Sequence, residues 1–143
     1  MKKISISTQI LNHLVAIISL SVAIIALSYN TWRNEQTEKN RNIRAAAFEV
    51  LKDLGELQIV INYSHYQPDK DLGNPYLGWG YIALINDLGQ LLPQPIPEKV
   101  KTLTDDWGIN WSKIKRDEVA TDKISDEVDK TRESVLEVLR KLK

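Results

Sequence analysis

Catalysis needs nucleophiles, acids, bases or metal ligands at workable spacing, and this sequence offers few of them. It has two histidines, His13 and His65, and no cysteine. Thiolate catalysis, zinc fingers, iron–sulfur ligation and disulfide staples are therefore excluded. His13 falls in an apolar run, which leaves His65 as the one imidazole for a soluble site; neither a His-rich metal cluster nor an HExxH motif can be assembled. His65 could serve as a base for Tyr63, Ser64 or Tyr66, but it borders an expected turn and reads as an exposed loop histidine. PDKDLGN offers Asp69 and Asp71 as the start of a calcium loop, and fails because the position that needs a bidentate Glu is Gly80. Gly73, Gly78 and Gly80 lack the spacing and the Lys-Ser/Thr end of a phosphate-cradling loop. Asp105 and Asp106 are adjacent on an expected helix, diverge, and read as surface. The expectation is a non-enzymatic chain with no catalytic residue, no cofactor and no metal.

Aromatic residues are the one group that could carry binding. Tyr76, Trp79 and Tyr81 near the start of one expected helix, with Trp107 and Trp111 on the next, meet in space if those helices are antiparallel neighbours. Core packing accounts for them, because aromatic rings fill wide gaps between helices. The alternative is a small-molecule cleft between helices, a usual ligand position in bundles. Gly78 and Gly80 flank Trp79, and glycine inside a helix costs ~1 kcal/mol relative to alanine, so they ask for a reason. Close helix approach would supply one.

The elements that must position these residues follow from length and patterning. The 143 residues allow one domain, and 19 Lys plus Arg balance 19 Asp plus Glu. No nucleic-acid partner is expected, since such binders carry a basic surplus that displaces counterions from phosphates. Residues 10–29 follow a short tail, residues 1–9, and begin ILNHLVAIISLSVAIIAL, close to the ~20 residues a helix needs to cross hydrocarbon, with no residue charged at neutral pH. Tyr29 and Trp32 then suit the headgroup boundary, and Arg33 the return to water. The competing reading is a cleaved signal peptide, with Lys2 and Lys3 as its basic region and Ala26-Leu27-Ser28 as its cleavage site. The length of the apolar stretch and the unbroken helical continuation favour an uncleaved anchor in contact with membrane lipid.

Within the span Asn12, Ala16, Ser19, Ala23, Ala26 and Asn30 are spaced 4, 3, 4, 3, 4, a seam of small or polar residues along one helix face. Membrane helices associate by close packing over such residues, which points to a homo-oligomer or another membrane protein as partner; chance placement of common Ala and Ser is the competing account. For orientation, Arg33, Lys39, Arg41 and Arg44 outnumber Lys2 and Lys3, but the flank nearest the start usually dominates. The second argument favours a tail held inside and a soluble part outside the bacterial inner membrane, in the periplasm.

Residues 30–42, NTWRNEQTEKNRN, are polar and free of Pro and Gly, suited to a helical stalk. YNTWRNEQTEKNRNIR, from Tyr29 to Arg44, and the FEVLKDLGEL that follows resemble a group of small single-span bacterial membrane proteins. The resemblance implies a membrane location and brings no activity, ligand or functional residue.

Residues 43–143 read as four amphipathic helices. The first carries Ile43, Ala47, Val50, Leu51, Leu54, Leu57 and Ile61 on one face and should stop before Pro68. Asn74 and Pro75 form an N-cap and first-turn pair for the second, whose expected buried face is Leu77, Tyr81, Leu84, Ile85, Leu88 and Leu91. The third starts at Pro97 and aligns Val100, Leu103, Trp107, Trp111 and Ile114. The fourth spaces Thr121, Ile124, Val128, Thr131, Val135, Val138 and Leu142 at 3, 4, 3, 4, 3, 4, with acids in its first half and Arg140, Lys141 and Lys143 at its end. The expected fold is all-α: a transmembrane helix continuing into an antiparallel four-helix bundle. Function is expected through protein contacts, as a small subunit, adaptor or assembly factor. The alternative is a ligand-sensing bundle, against which stands the lack of a second span or signalling module before Lys143.

Overall fold

The computed structural model of the chain describes residues 6–142, without the side chains of 6–9, 11 and 12. It is all-helical among those residues: α1 (Ile6–His65), α2 (Pro75–Gly89), α3 (Ile96–Asn110) and α4 (Glu118–Lys141). Backbone packing divides the chain into two units between Lys39 and Asn40.

Among its described residues, the first unit is helix alone. Every residue from 13 to 39 is exposed, and Ile17, Ile18, Leu20, Val22, Ile24, Ile25 and Leu27 each show more than half their surface. An apolar helix exposed on all sides has no protein core of its own. It is long and apolar enough to cross a membrane. Ser21 donates to the carbonyl of Ile17 at 2.9 Å and Thr31 to that of Leu27 at 3.0 Å, so these hydroxyls are satisfied on their own helix.

The second unit buries one core fed by all four helices. It joins Val50, Leu54, Leu57 and Ile61 of α1 to Ile82 and Ile85 of α2, Val100, Leu103 and Trp107 of α3, and Ile124, Val128 and Val135 of α4. The end of α1 at His65 agrees with the stop expected before Pro68. Asn74 caps α2 as expected, its side chain accepting from the N–H of Tyr76 at 3.1 Å, with Pro75 in the first turn. The Asp117 carboxylate accepts from the N–H of Ala120 at 3.1 Å and so caps α4, whose last turn holds Arg140 and Lys141. The Arg44 guanidinium donates to the carbonyl of Leu142 at 3.2 Å, which supplies that helix end with a cation from α1.

On α4 the expected seam is the buried one: Thr121, Ile124, Val128, Thr131, Val135 and Val138 are all buried, and Leu142 is half-buried as the C-cap. On α2 the expectation is corrected. Its buried residues are Gly78, Ile82, Ile85 and Gly89, while Leu77, Leu84 and Leu91 are exposed and Tyr81 and Leu88 half-buried. The reason is close approach to α3. A methyl group on Gly78 would stand 2.2 Å from the Trp107 ring, and one on Gly89 would stand 2.8 Å from both Val100 methyls. α3 begins one residue earlier than expected and ends at Asn110; Trp111 is its C-cap and the buried Ile114 lies in the turn beyond it.

Candidate functional site

The expected aromatic residues come together in part. Trp107 is fully buried, Trp111 half-buried, Trp79 38% exposed and Tyr76 72% exposed. Trp79 meets Trp107 edge-on at 6.4 Å and Trp111 edge-on at 6.2 Å between ring centroids, and Tyr76 leans on Trp111 at 5.5 Å. These are the tilted geometries that ring quadrupoles prefer. Tyr81 makes no described ring contact and packs half-buried against the core instead. The four clustered rings therefore touch one another, and Gly78 is the vacancy into which Trp107 fits. Gly80, by contrast, has nothing within 4 Å of where a side chain would start. The Trp107 indole N–H is buried without a hydrogen-bond partner, as is the Thr131 hydroxyl on α4.

Two side chains read as surface or loop are not. Asp106 is buried at 9% exposure and accepts from the Lys123 ammonium at 2.7 Å, tying α3 to α4. Sequence places its partner 17 residues away, beyond any helical spacing rule. His65 is half-buried at the last position of α1: its Nδ1 lies 2.6 Å from the carbonyl of Ile114, which makes that nitrogen the donor. The Thr121 hydroxyl lies 3.3 Å from the same nitrogen and 3.1 Å from the same carbonyl. His65 is thus a fastener between α1 and the turn before α4, with no described carboxylate bond of the kind that orients a catalytic imidazole.

One buried acid was missed by the pattern. Asp53 sits on the core side of α1 at 6% exposure; burial, with help from the nearby Glu49 and Glu56 charges, pushes its carboxyl above the usual range, and Lys52 opposes this. Asp69 is the reverse case. Its carboxylate accepts from the N–H groups of Leu72 and Asp71, each at 2.8 Å, and these bonds hold its carboxyl below the usual range. Those bonds make Asp69 the internal tie of its own turn. Among the described residues no group of three or more His, Cys, Asp or Glu could hold a metal ion.

Of the small-residue seam, Ala16, Ser19, Ala23, Ala26 and Asn30 are exposed on the first unit, and Asn12 lies outside the described side chains. The second exposed apolar surface is the outer face of α2. Leu77, Gly80, Ala83 and Leu84 are exposed there with Tyr81 and Leu88 half-exposed, Asp87 is its single charge, and Leu91 is exposed in the turn that follows. Of these, Leu77, Leu84 and Leu91 were expected on the buried side, while Tyr81 and Leu88 do pack partly against the core. Compared with protein-family models, with curated proteins and with solved structures, the chain matches none.

Proposed function

We propose that the chain is a single-pass membrane protein without enzymatic activity, which acts through contacts with other proteins as a small subunit, adaptor or assembly factor. The observation that carries this reading is the outer face of α2. α2 has Asp87 as its single charge and keeps Leu77 and Leu84 in the open, with Leu91 exposed in the turn just beyond its end, although helices facing water are polar on that side. Covering that face with another protein removes the anomaly.

Residues 10–29 are the membrane anchor in this reading. The exposed apolar side chains of α1 support insertion, and lipid satisfies them where water does not. The basic N-terminal tail supports an N-in anchor in the bacterial inner membrane with the second unit in the periplasm. The second unit is an antiparallel bundle: contacts Arg44–Leu142, Gln58–Ser125 and His65–Thr121 run in opposite order along α1 and α4, and Gly78–Trp107 and Gly89–Val100 do so along α2 and α3.

Insertion is tested by carbonate extraction, where the chain should stay with the membrane; a mature soluble form beginning near Tyr29 would refute the anchor. Self-association through the seam is tested by Ala23→Ile, which should weaken dimerisation in a membrane association assay while Ile24→Leu does not, because bulk on the seam blocks close approach. Equal behaviour of the two variants would remove the seam.

A further inference from the structure

We propose that the cleft between the end of α1 and the turn preceding α4 binds a phosphate group, held by Lys70 and Lys115. The cleft has a volume of about 270 Å³ and is lined by Tyr63, Ser64, Pro68, Asp69, Lys70 and Lys115. It adjoins a second one of about 370 Å³ lined by Asn62, Tyr63, Tyr66 and Gln67, with Tyr63 common to both.

Charge is the first argument. Of the described lysines, Lys52, Lys101, Lys123, Lys130 and Lys141 each have a carboxylate within 4 Å, whereas Lys39, Lys70, Lys99, Lys113 and Lys115 have no ion pair among the described residues. Lys70 and Lys115, both exposed, are the two of these that line one cleft, brought there from turns 45 residues apart in sequence (115 − 70 = 45). The single carboxylate in the lining, Asp69, is already bonded to two backbone N–H groups of its own turn. Two ammonium groups against one engaged carboxylate leave a net positive cleft. An anion completes it, and lysine serves phosphate as a point charge without needing the planar match that carboxylate–arginine forks use.

Construction is the second argument, since both lysines stand on fastened backbone. The Lys70 turn is knitted by the N–H of Asp69 on the carbonyl of Tyr63 at 3.0 Å and the N–H of Gly73 on the carbonyl of Asp69 at 3.1 Å. Gly73 cannot be replaced there, because a side chain would begin 2.3 Å from the carbonyl oxygen of Tyr63. Ser64, 2% exposed, donates its proton to the carbonyl of Gly73 at 2.6 Å and locks the same turn from within. Lys115 follows Ile114, whose carbonyl is gripped by His65 and Thr121. Tyr63 adds a phenol that has no partner among the described hydrogen bonds, a donor for a phosphate oxygen. The neighbouring cleft, lined by Tyr63, Tyr66, Asn62 and Gln67, gives the remainder of a phosphorylated molecule polar and aromatic surface to lie on.

The test is thermal unfolding of the full chain in a non-ionic detergent with increasing inorganic phosphate, against chloride at matched ionic strength. A saturable rise of the midpoint is expected, because a ligand that binds only the folded state stabilises it by mass action. Lys70→Gln and Lys115→Gln should each raise the phosphate concentration at half-effect by roughly tenfold, the cost of one charge-assisted bond. Lys70→Arg and the distant Lys101→Gln should keep the response, which separates a lost site from a damaged fold. Glycerol 3-phosphate and a short-chain phosphatidic acid, titrated the same way, tell a free phosphorylated compound from a lipid headgroup, and tighter binding of either supports the site. No rise with phosphate, or the same rise in the Lys70→Gln Lys115→Gln double variant, would overturn it.

Discussion

α4 and α2 are both buried along one side, yet only α4 announces that side in its sequence. On α4 most residues between seam positions are charged, Ser125, Ser134, Leu136 and Leu139 excepted, so the alternation leaves one face for the core: Thr121, Ile124, Val128, Thr131, Val135 and Val138. On α2 nearly every residue is apolar or aromatic, so periodicity offers two candidate faces and cannot choose between them. The core takes Gly78, Ile82, Ile85 and Gly89, two of which have no side chain and carry no hydrophobic signal. Their value is absence: space for Trp107 and Val100 of α3. A pattern of side chains reveals a seam built by filling, and misses one built by close approach.

The largest effect that would break this comparison is on α4. Val135→Asp places a carboxylate without a partner in a fully buried seam, and should lower the stability of the second unit by several kcal/mol out of the ~5–15 kcal/mol that holds a domain of this size. Glu137→Ala, beside it on the outer side, should change it by less than ~0.5 kcal/mol. Unfolding of the full chain in detergent, followed by tryptophan fluorescence, reads both through the buried Trp107.

Next in size, and sharper, is a pair of glycines two residues apart on α2. Gly78→Ala must displace the Trp107 ring and should destabilise by ~1–3 kcal/mol, as overpacking does. Gly80→Ala meets nothing and should stabilise by up to ~1 kcal/mol through helix propensity. Equal signs in the same unfolding assay would mean that α2 turns a different face to α3.

The smallest effect concerns Asp53. Its folded carboxyl is raised above the unfolded value, so its contribution favours folding in acid and is lost as pH rises through the raised value. At neutral pH the ionised group is a burden, and Asp53→Asn should raise the unfolding midpoint there. That gain should vanish below about pH 4, where the unfolded carboxyl is protonated too.

Much of the fold was legible: a helix long and apolar enough to cross a membrane, the stop of α1 before Pro68, the Asn74–Pro75 start of α2 and the seam of α4 are local signals. What was not legible depends on partners far along the chain. Asp106 reads as surface until Lys123 stands opposite it, and His65 reads as a loop residue until the carbonyl of Ile114 arrives. The aromatic cluster was foreseen as a set, but Tyr81 left it and the rings closed on one another. Lys70 and Lys115 gave no signal at all, since isolated lysines in two turns become a pair only after folding.

The outer face of α2 decides the account as a whole, and photo-crosslinking in native membranes tests it most directly. A photoreactive residue at position 84, on the exposed apolar face, is compared with one at position 133, on the charged outer side of α4. The account predicts a discrete crosslinked protein from position 84 and none from position 133. No product from position 84, or the same products from both, would contradict it.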